Sequence, residues 1–337
     1  MKTCEGDFIE TAAGSIFDVK GLIHPPDRII AFIRYFRDEK GERRKEGTAY
    51  GKVYSLSKRY ALLRKRFPRY LVHDKVFDET LCEVPVGDVK RLYRPIEKLQ
   101  EMRGLAELDS LEFKALQLAE LLKENANVPW ETVGISGSIM VGLHTTNSDI
   151  DLIIYGSQNC RKTHSALATM LNSVIRVIGP YGPEDLKSLF DFRSKDSSAD
   201  FESFVRTESR KVMQGKFLET DYFVRFVKDW NEIDEAYGDI QYRNDGVAIV
   251  KATIADDSEA IFTPCVYKVR SVRVLDGPRA EDIEEIVSFR GRFCEQARVG
   301  ESVTAQGKLE HVNDRRHGRE YFRLLLGNKP SDFMVLA

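Results

Sequence analysis

The sequence predicts an α+β chain in which a core of mixed sheet and helices lies between two β-rich segments. Three observations carry this. A strand–turn–helix–strand pattern fills VGISGSIMVGLHTTNSDIDLIIYG at 133–156, helical periodicity dominates the residues around it, and short apolar runs broken by Gly, Asp and Pro occupy both ends. At 337 residues the chain is long for one ordinary domain and suits two or three. The boundaries expected are a β-rich N-terminal domain over 1–97, a core over 98–235, and a small β-barrel or sandwich over 236–337.

In chain order, FIETAAGSIFDVKG reads as two short strands around an Ala-Gly turn, and RIIAFIRYFR as a buried β-branched and aromatic strand. The stretch beginning at Gly51 starts strand-like, turns helical near Ser57 and stops before Pro68. Pro85 and Pro95 mark a loop-rich exit. Leu111, Ala115, Leu118 and Leu122 place an amphipathic helix over 105–123, with Asp109 or Ser110 as its N-cap. Further helices are expected at RKTHSALATMLNSVI, EDLKSLFDFRS and ADFESFVRTESRKVMQ, with a break at Gly179–Pro183 and a strand at TDYFVRFV. From about 236 the strand candidates are YGDIQY, VAIVKATI, AIFTPCVYKVRSVRVL, SVTAQGKLEHV and EYFRLLLG, with EDIEEIV as one short helix. Periodicity leaves OB-like, SH3-like and other small β folds open.

Composition bounds the partners. The N-terminus carries acids where a signal peptide needs an apolar core, no stretch suits a membrane span, and five scattered cysteines lack any CxxC pair. A cytoplasmic chain with no membrane partner is expected. A net charge of −2 means that nucleic-acid binding would need a local patch. The candidate is Lys58–Arg69, six basic residues without an acid, centred on Arg64, Lys65 and Arg66 and interleaved with Tyr60, Phe67 and Tyr70. A solvated helix face over core aromatics explains it as well.

The chemistry concentrates at Gly137-Ser138 and, ten residues on, Asp149-Ile150-Asp151. A glycine lets backbone approach a phosphate, Ser138 adds a hydroxyl donor, and a following helix aims its first amides at the same point. Residues two apart in a strand share a face, so Asp149 and Asp151 present two hard oxygen ligands while Ile150, Leu152 and Ile154 face a core. Thr146 and Ser148 lie in the intervening turn and can contact a nucleotide or simply form the turn.

Gly-Ser, the ten-residue gap and Asp-x-Asp, with Gly142 and the SDIDL run, resemble the signature of the polymerase β-like nucleotidyltransferase superfamily. The whole chain also resembles an archaeal group of predicted nucleotidyltransferases with β-rich flanks. The resemblance implies a mixed sheet backed by helices, Gly137, Ser138 and Ser148 at the nucleotide, Asp149 and Asp151 on two magnesium ions, and a third carboxylate on a later strand. Asp221 is the first choice for that third group, Asp239 the second and Glu219 the third; a strand-opening aspartate is the other reading of Asp221. Arg225, amid apolar residues of YFVRFV, either reaches the site or forms a structural ion pair, and Arg210 and Lys211 are read as a solvated helix face. The expected function is magnesium-dependent transfer of a nucleoside monophosphate from a triphosphate to an acceptor hydroxyl on RNA, a small molecule or a protein. The alternative is a catalytically degenerate relative that binds RNA or nucleotide without chemistry.

Overall fold

The computed structural model describes residues 1–173, 177–194 and 198–337. The N-terminal part is a sheet of eight strands: β1 (Phe8–Thr11), β2 (Ile16–Val19), β3 (Arg28–Arg37), β4 (Arg43–Lys45), β5 (Thr48–Lys52), β6 (Leu71–Asp74), β7 (Glu79–Pro85) and β8 (Val89–Tyr93). Helix α1 (Leu56–Arg66) lies on it, burying Leu63 against Phe17, Ile29, Ala31 and Ile33. The β6–β7 hairpin and β8 occupy the stretch where prolines suggested loops. Pro85 sits at the last residue of β7, where a missing amide is tolerated.

The core opens with α2 (Pro95–Gly104) and α3 (Ser110–Ala126). Pro95 takes the first position of α2, where its lost N–H costs nothing, so a residue read as a loop marker starts a helix. Asp109 caps α3, accepting the amides of Leu111 and Glu112 at 2.9 Å each, and Asn127 ends it in the left-handed region. Then follow β9 (Val133–Ile135), α4 (Gly137–Met140), β10 (Ile150–Tyr155), α5 (Ser157–Leu171), β11 (Ile178–Gly179), α6 (Pro183–Arg193), α7 (Phe201–Glu208), β12 (Gln214–Phe217) and β13 (Thr220–Val227). Val174 and Ile175, at the end of the helix expected after Arg161, lie outside the described residues. The five strands order as β11-β12-β13-β10-β9, a mixed sheet in which β10 and β13 are parallel and the other neighbours antiparallel. Ile150, Leu152 and Ile154 enter the core with Leu111, Leu118 and Leu122 of α3, as the alternation predicts.

The C-terminal part comprises β14 (Ile240–Glu259), β15 (Cys265–Asp276), β16 (Ile283–Ser288), β17 (Ser302–Asp314), β18 (Arg319–Leu326) and β19 (Phe333–Leu336). Two expected strands, YGDIQY and VAIVKATI, are one strand with a bulge between Asn244 and Val247. EDIEEIV is not a helix: Ile283–Ser288 is strand β16, laddered between β15 and β18. A run this short cannot nucleate a helix unaided, and two open ladder edges decide its conformation. Strands β14 to β18 close on themselves in the order β14-β15-β16-β18-β17-β14, with only β16 and β18 parallel. Of the alternatives left open by periodicity, this five-stranded closed order is the OB-like one. Among the described residues no helix is long and apolar enough to cross a membrane.

Two seams hold the N-terminal sheet to the core. Met140, Val141 and Leu143 pack with Phe8, Ile16, Tyr35, Tyr50 and Tyr93. The extreme N-terminal segment crosses the Asp151 face of the central sheet, where Cys4 packs with Ile153, Tyr155 and Val227. Gly6 there approaches so closely that a Cβ would stand 2.0 Å from Ile153 Cδ1. Truncating the first seam should therefore be felt globally. We expect Leu143→Ala to cost about 2–5 kcal/mol, read as a lower urea midpoint with an unchanged slope; an unmoved midpoint would show that the seam is not cooperative with the core.

Candidate functional site

The chain leaves β9 at Ile135 and turns sharply into α4. Gly137 makes the turn with φ +62°, and a Cβ there would stand 1.9 Å from Asp151 Oδ2. The Asp151 carboxylate thus rests against bare backbone, and a side chain at 137 would have to displace it. Ser136 fixes the crossing: its amide donates to the Asp151 carbonyl at 2.8 Å and its hydroxyl to the Gly6 carbonyl at 2.8 Å. The helix expected after Gly-Ser is a single turn of four residues, closed by the Leu143 amide donating to the Ser138 carbonyl at 2.9 Å. His144 reaches Asp109, the α3 cap, at 2.6 Å, and the Ser148 hydroxyl accepts the Thr145 amide at 3.0 Å. Arg43 on β4 donates to the Leu143 carbonyl and approaches the Ser148 hydroxyl at 3.4 Å. The loop is thereby held from both sides, and it delivers Asp149 to the mouth of β10.

Register places the third carboxylate candidate. Ile150 pairs with Tyr222 and Asp151 with Phe223 in the parallel β10–β13 ladder. One residue earlier, Asp149 and Asp221 stand level, and by alternation Asp149, Asp151 and Asp221 share one face. The Asp221 side chain, however, turns to Lys216 Nζ at 2.8 Å, and Lys216 also meets Asp185 at 3.2 Å. Among the described residues no group of three or more His, Cys, Asp or Glu is arranged to hold a metal ion. Asp239 accepts the Ala236 amide at 2.8 Å, and Glu219 sits in the β12–β13 turn with φ +63°; neither lines the cavity described next.

That cavity has a volume of about 1500 Å³ and is walled by all three parts of the chain. Ser148, Asp149, Asp151 and Asp221 come from the core, Arg34, Arg43 and Lys52 from the N-terminal sheet, and Lys308 and Arg323 from the barrel. It exceeds the roughly 300–1,000 Å³ of ordinary small-molecule pockets. Gly137 and Ser138 do not line the cavity: half-buried Gly137 supports Asp151, and Ser138 is buried with its hydroxyl lacking any partner. A carboxylate seated on a glycine and a second carboxylate on the same face are hard oxygen donors of the kind that suits magnesium completed by substrate phosphates.

The electrostatics are those of an acid pair facing a cationic wall. Burial, and then the neighbouring Asp149, pushes Asp151 up from 3.8 to about 7 against the pull of Arg225, Lys52 and Arg34. Lys52 is pushed down to about 8 by burial and by the Arg34 charge. At Arg34 burial works against the charge, but Tyr35, Asp18, Asp151 and Asp149 outweigh it and hold the guanidinium above its ordinary value. Burial drives Tyr181 up, with Asp221 and Asp149 adding to it, so this tyrosine from the Gly-Pro break faces both carboxylates. Arg225 does both things expected of it. It pairs with buried Glu5 at 2.7 Å, and it lines the cavity, where its charge acts on Asp151.

Other candidates disperse. Arg64 points to the cavity and lies 5.9 Å from the Tyr60 ring, Arg66 covers Phe36 at 4.8 Å, and Lys65 is exposed. Phe67 and Tyr70 pack on Phe17 and belong to the core, whereas Tyr60, edge-on to Phe32, also lines the cavity. Arg210 and Lys211 are not on a solvated helix face, because α7 ends at Glu208. Arg210 pairs with Glu301 at 2.6 Å, and Lys211 is buried on Glu208 and Gln296. The sequence reading missed Arg34, Arg43 and Lys52. Arg34 carried the signal that drew attention to Arg225, an arginine inside an apolar strand, in RIIAFIRYFR.

No family model matches the chain, and no solved structure matches it. It is 35% identical over 342 residues to the uncharacterized protein MJ1086 of Methanocaldococcus jannaschii, covering 99% of this chain and 98% of the other.

Two outcomes follow from the Asp151 contact. Gly137→Ala must bear both a left-handed φ, which costs an L-residue about 1–2 kcal/mol, and the displacement of Asp151, so its thermal midpoint should fall clearly below that of Gly142→Ala, where a Cβ meets nothing. For pH, folding lifts Asp151 from 3.8 to about 7, so the stability of its bound proton is full below pH 3.8 and is lost as pH rises through 7. In chelator, Asp151→Asn should melt above wild type at about pH 8 and close to it at about pH 4.5; equal differences at both would contradict the shift.

Proposed function

The chain belongs to the family of the archaeal protein MJ1086, and from its site we propose that it is a magnesium-dependent nucleotidyltransferase with a polymerase β-like core. The observation that carries this reading is the Asp151 carboxylate seated on Gly137 beside Asp149, at the edge of a cavity large enough for a nucleotide and an acceptor. Asp149 and Asp151 would hold the metal, with substrate phosphates as the remaining ligands; when bound, the ions neutralise charge building on the phosphoryl oxygens. The protein's own part is mostly placement. Gly137 keeps Asp151 in position, and the Arg43 anchor and the Ser148 turn fix the loop that presents Asp149.

The reaction is an in-line displacement. An acceptor hydroxyl oxygen forms a bond to the α-phosphorus, the bond from that phosphorus to the β-bridging oxygen breaks, and pyrophosphate leaves with the electron pair. The acceptor's proton goes to a base, for which Asp221 is in register, level with Asp149 on the shared face. To serve, Asp221 must exchange its contact with Lys216 for the acceptor, a rotation of an exposed side chain.

The same contact favours a second reading. With Asp221 held by Lys216 and no three-carboxylate cluster among the described residues, the chain could bind a nucleotide without transferring it. Pyrophosphate release from each of the four nucleoside triphosphates, with magnesium and a cell extract as the acceptor source, separates the two. We expect release that Asp149→Ala or Asp151→Ala abolishes and that Asp221→Asn lowers by about 10²–10⁴-fold, the range for loss of a general base. Triphosphate binding with no release would support the second reading; release that survives the double Asp149→Ala, Asp151→Ala variant would reject the assignment.

A further inference from the structure

The N-terminal sheet places three cations, Arg34, Arg43 and Lys52, on the wall of the cavity that also carries the acid pair. Lys52 opposes Tyr35 across the β3–β5 ladder. Its ammonium lies 4.7 Å from the Tyr54 ring centre and 6.0 Å from that of Tyr35. The Arg34 guanidinium shares the Tyr54 ring at 5.6 Å, and Arg43 shares that of Tyr35 at 5.9 Å. Three like charges therefore rest on two tyrosine faces. Arg34 reaches this wall because the β2–β3 register shifts beside it: Ile16 pairs with Tyr35 and Phe17 with Ile33. A bulge of this kind re-aims a side chain, and bulges gather next to functional sites.

The neighbouring cations are accounted for. Lys20 sits 3.0 Å from both Glu5 and Asp18, and Arg225 takes Glu5 at 2.7 Å. Arg43 is engaged by the Leu143 carbonyl and Ser148. Arg34 and Lys52 form no salt bridge among the described residues, although both are half-buried. A planar guanidinium beside an ammonium, neither tied in an ion pair, is a pair suited to phosphate oxygens.

We propose that Arg34 and Lys52, steadied by Arg43, form an anion site contributed by the N-terminal sheet that holds the terminal phosphates of a polyphosphate. This deepens the nucleotide-transfer reading and rests on it for one point only, that the other end of the ligand lies at Asp149 and Asp151. Arg34 and Lys52 line the cavity while Gly137 and Ser138 do not, so the β- and γ-phosphates of a triphosphate are gripped by the N-terminal sheet. The N-terminal sheet is then half of the nucleotide site rather than an accessory module.

The test is calorimetric titration of the full-length protein with inorganic tripolyphosphate, ATP and AMP, in chelator so that no metal contributes. Wild type should bind tripolyphosphate and ATP in preference to AMP, with affinity falling steeply as salt rises. Arg34→Gln and Lys52→Gln should each weaken tripolyphosphate binding about tenfold or more, with a shallower salt dependence, and Lys52→Arg should restore most of it. Arg243→Gln, at a surface arginine paired with Asp245 and away from the cavity lining, should change nothing. Wild type that fails to bind tripolyphosphate, or Gln variants that bind it as well as wild type does, would overturn the site. Should either Gln variant fail to fold, Arg34→Met and Lys52→Met, which keep the apolar stem and remove the charge, carry the test, and binding as tight as wild type's in these would also overturn it. The two readings fail separately. Triphosphate turnover that depends on Asp149 alongside unaltered tripolyphosphate binding in Arg34→Gln sinks the anion site alone. Lost tripolyphosphate binding in a protein without turnover sinks transfer alone.

Discussion

A carboxylate resting where residue 137 would otherwise carry a side chain sets the terms for everything around it. Because Asp151 presses on Gly137, β9 and β10 must cross with a tight left-handed turn between them, and the Ser136 amide locks that crossing. Because Asp151 is buried beside Asp149, its charge is expensive to keep, and the surroundings must supply positive charge. That charge comes first from Arg225 on the adjacent strand of the same sheet and then from Lys52 and Arg34 of the N-terminal sheet, so the requirement of one acid explains why three segments far apart in sequence converge.

The N-terminal sheet is therefore fastened to the core with care. An apolar seam runs from Met140–Leu143 to Tyr35 and Tyr50, and Arg43 grips the loop just before Asp149. The first residues of the chain cover the face of the central sheet that bears Asp151, and Glu5 there binds Lys20, Arg225 and the Gly21 amide at once. On the far side, Lys308 of the barrel is shared between Glu310 and Glu79 of the N-terminal sheet, at 2.7 and 2.9 Å. Ion pairs this buried stabilise little against apolar substitutes but penalise misplacement heavily, which suits a role in fixing how the parts sit around the cavity.

Local chemistry was legible and long-range pairing was not. RIIAFIRYFR is strand β3 to the residue, since β-branched and aromatic side chains there serve both local preference and burial. Asp109 caps α3, and Ile150, Leu152 and Ile154 face the core, because period and capping are written in adjacent residues. EDIEEIV misled because its conformation is decided by β15 and β18 on either side. Pro85 and Pro95 misled because proline reads as a break whether it ends a strand, starts a helix or makes a loop. In the site, spacing alone found Asp149 and Asp151, and the β10–β13 register put Asp221 level with them. Arg34 and Lys52 escaped because their importance depends on which sheet lines the cavity, and no spacing along the chain encodes that.

The Glu5–Arg225 and Glu79–Lys308 contacts span 220 and 229 residues. On a ribosome, the Gly137–Asp151 turn is complete while Arg225 and the whole barrel are still unmade. Glu5 must then wait in the open for a partner from the last third of the chain, and the cavity cannot close until translation is nearly done. Such distant closures slow folding, since loop entropy is lost before the contacts that reward it exist. Nascent chains of this protein should accordingly carry an intact carboxylate pair long before they own a site, and a truncated product would display the motif in full with nothing around it to work on.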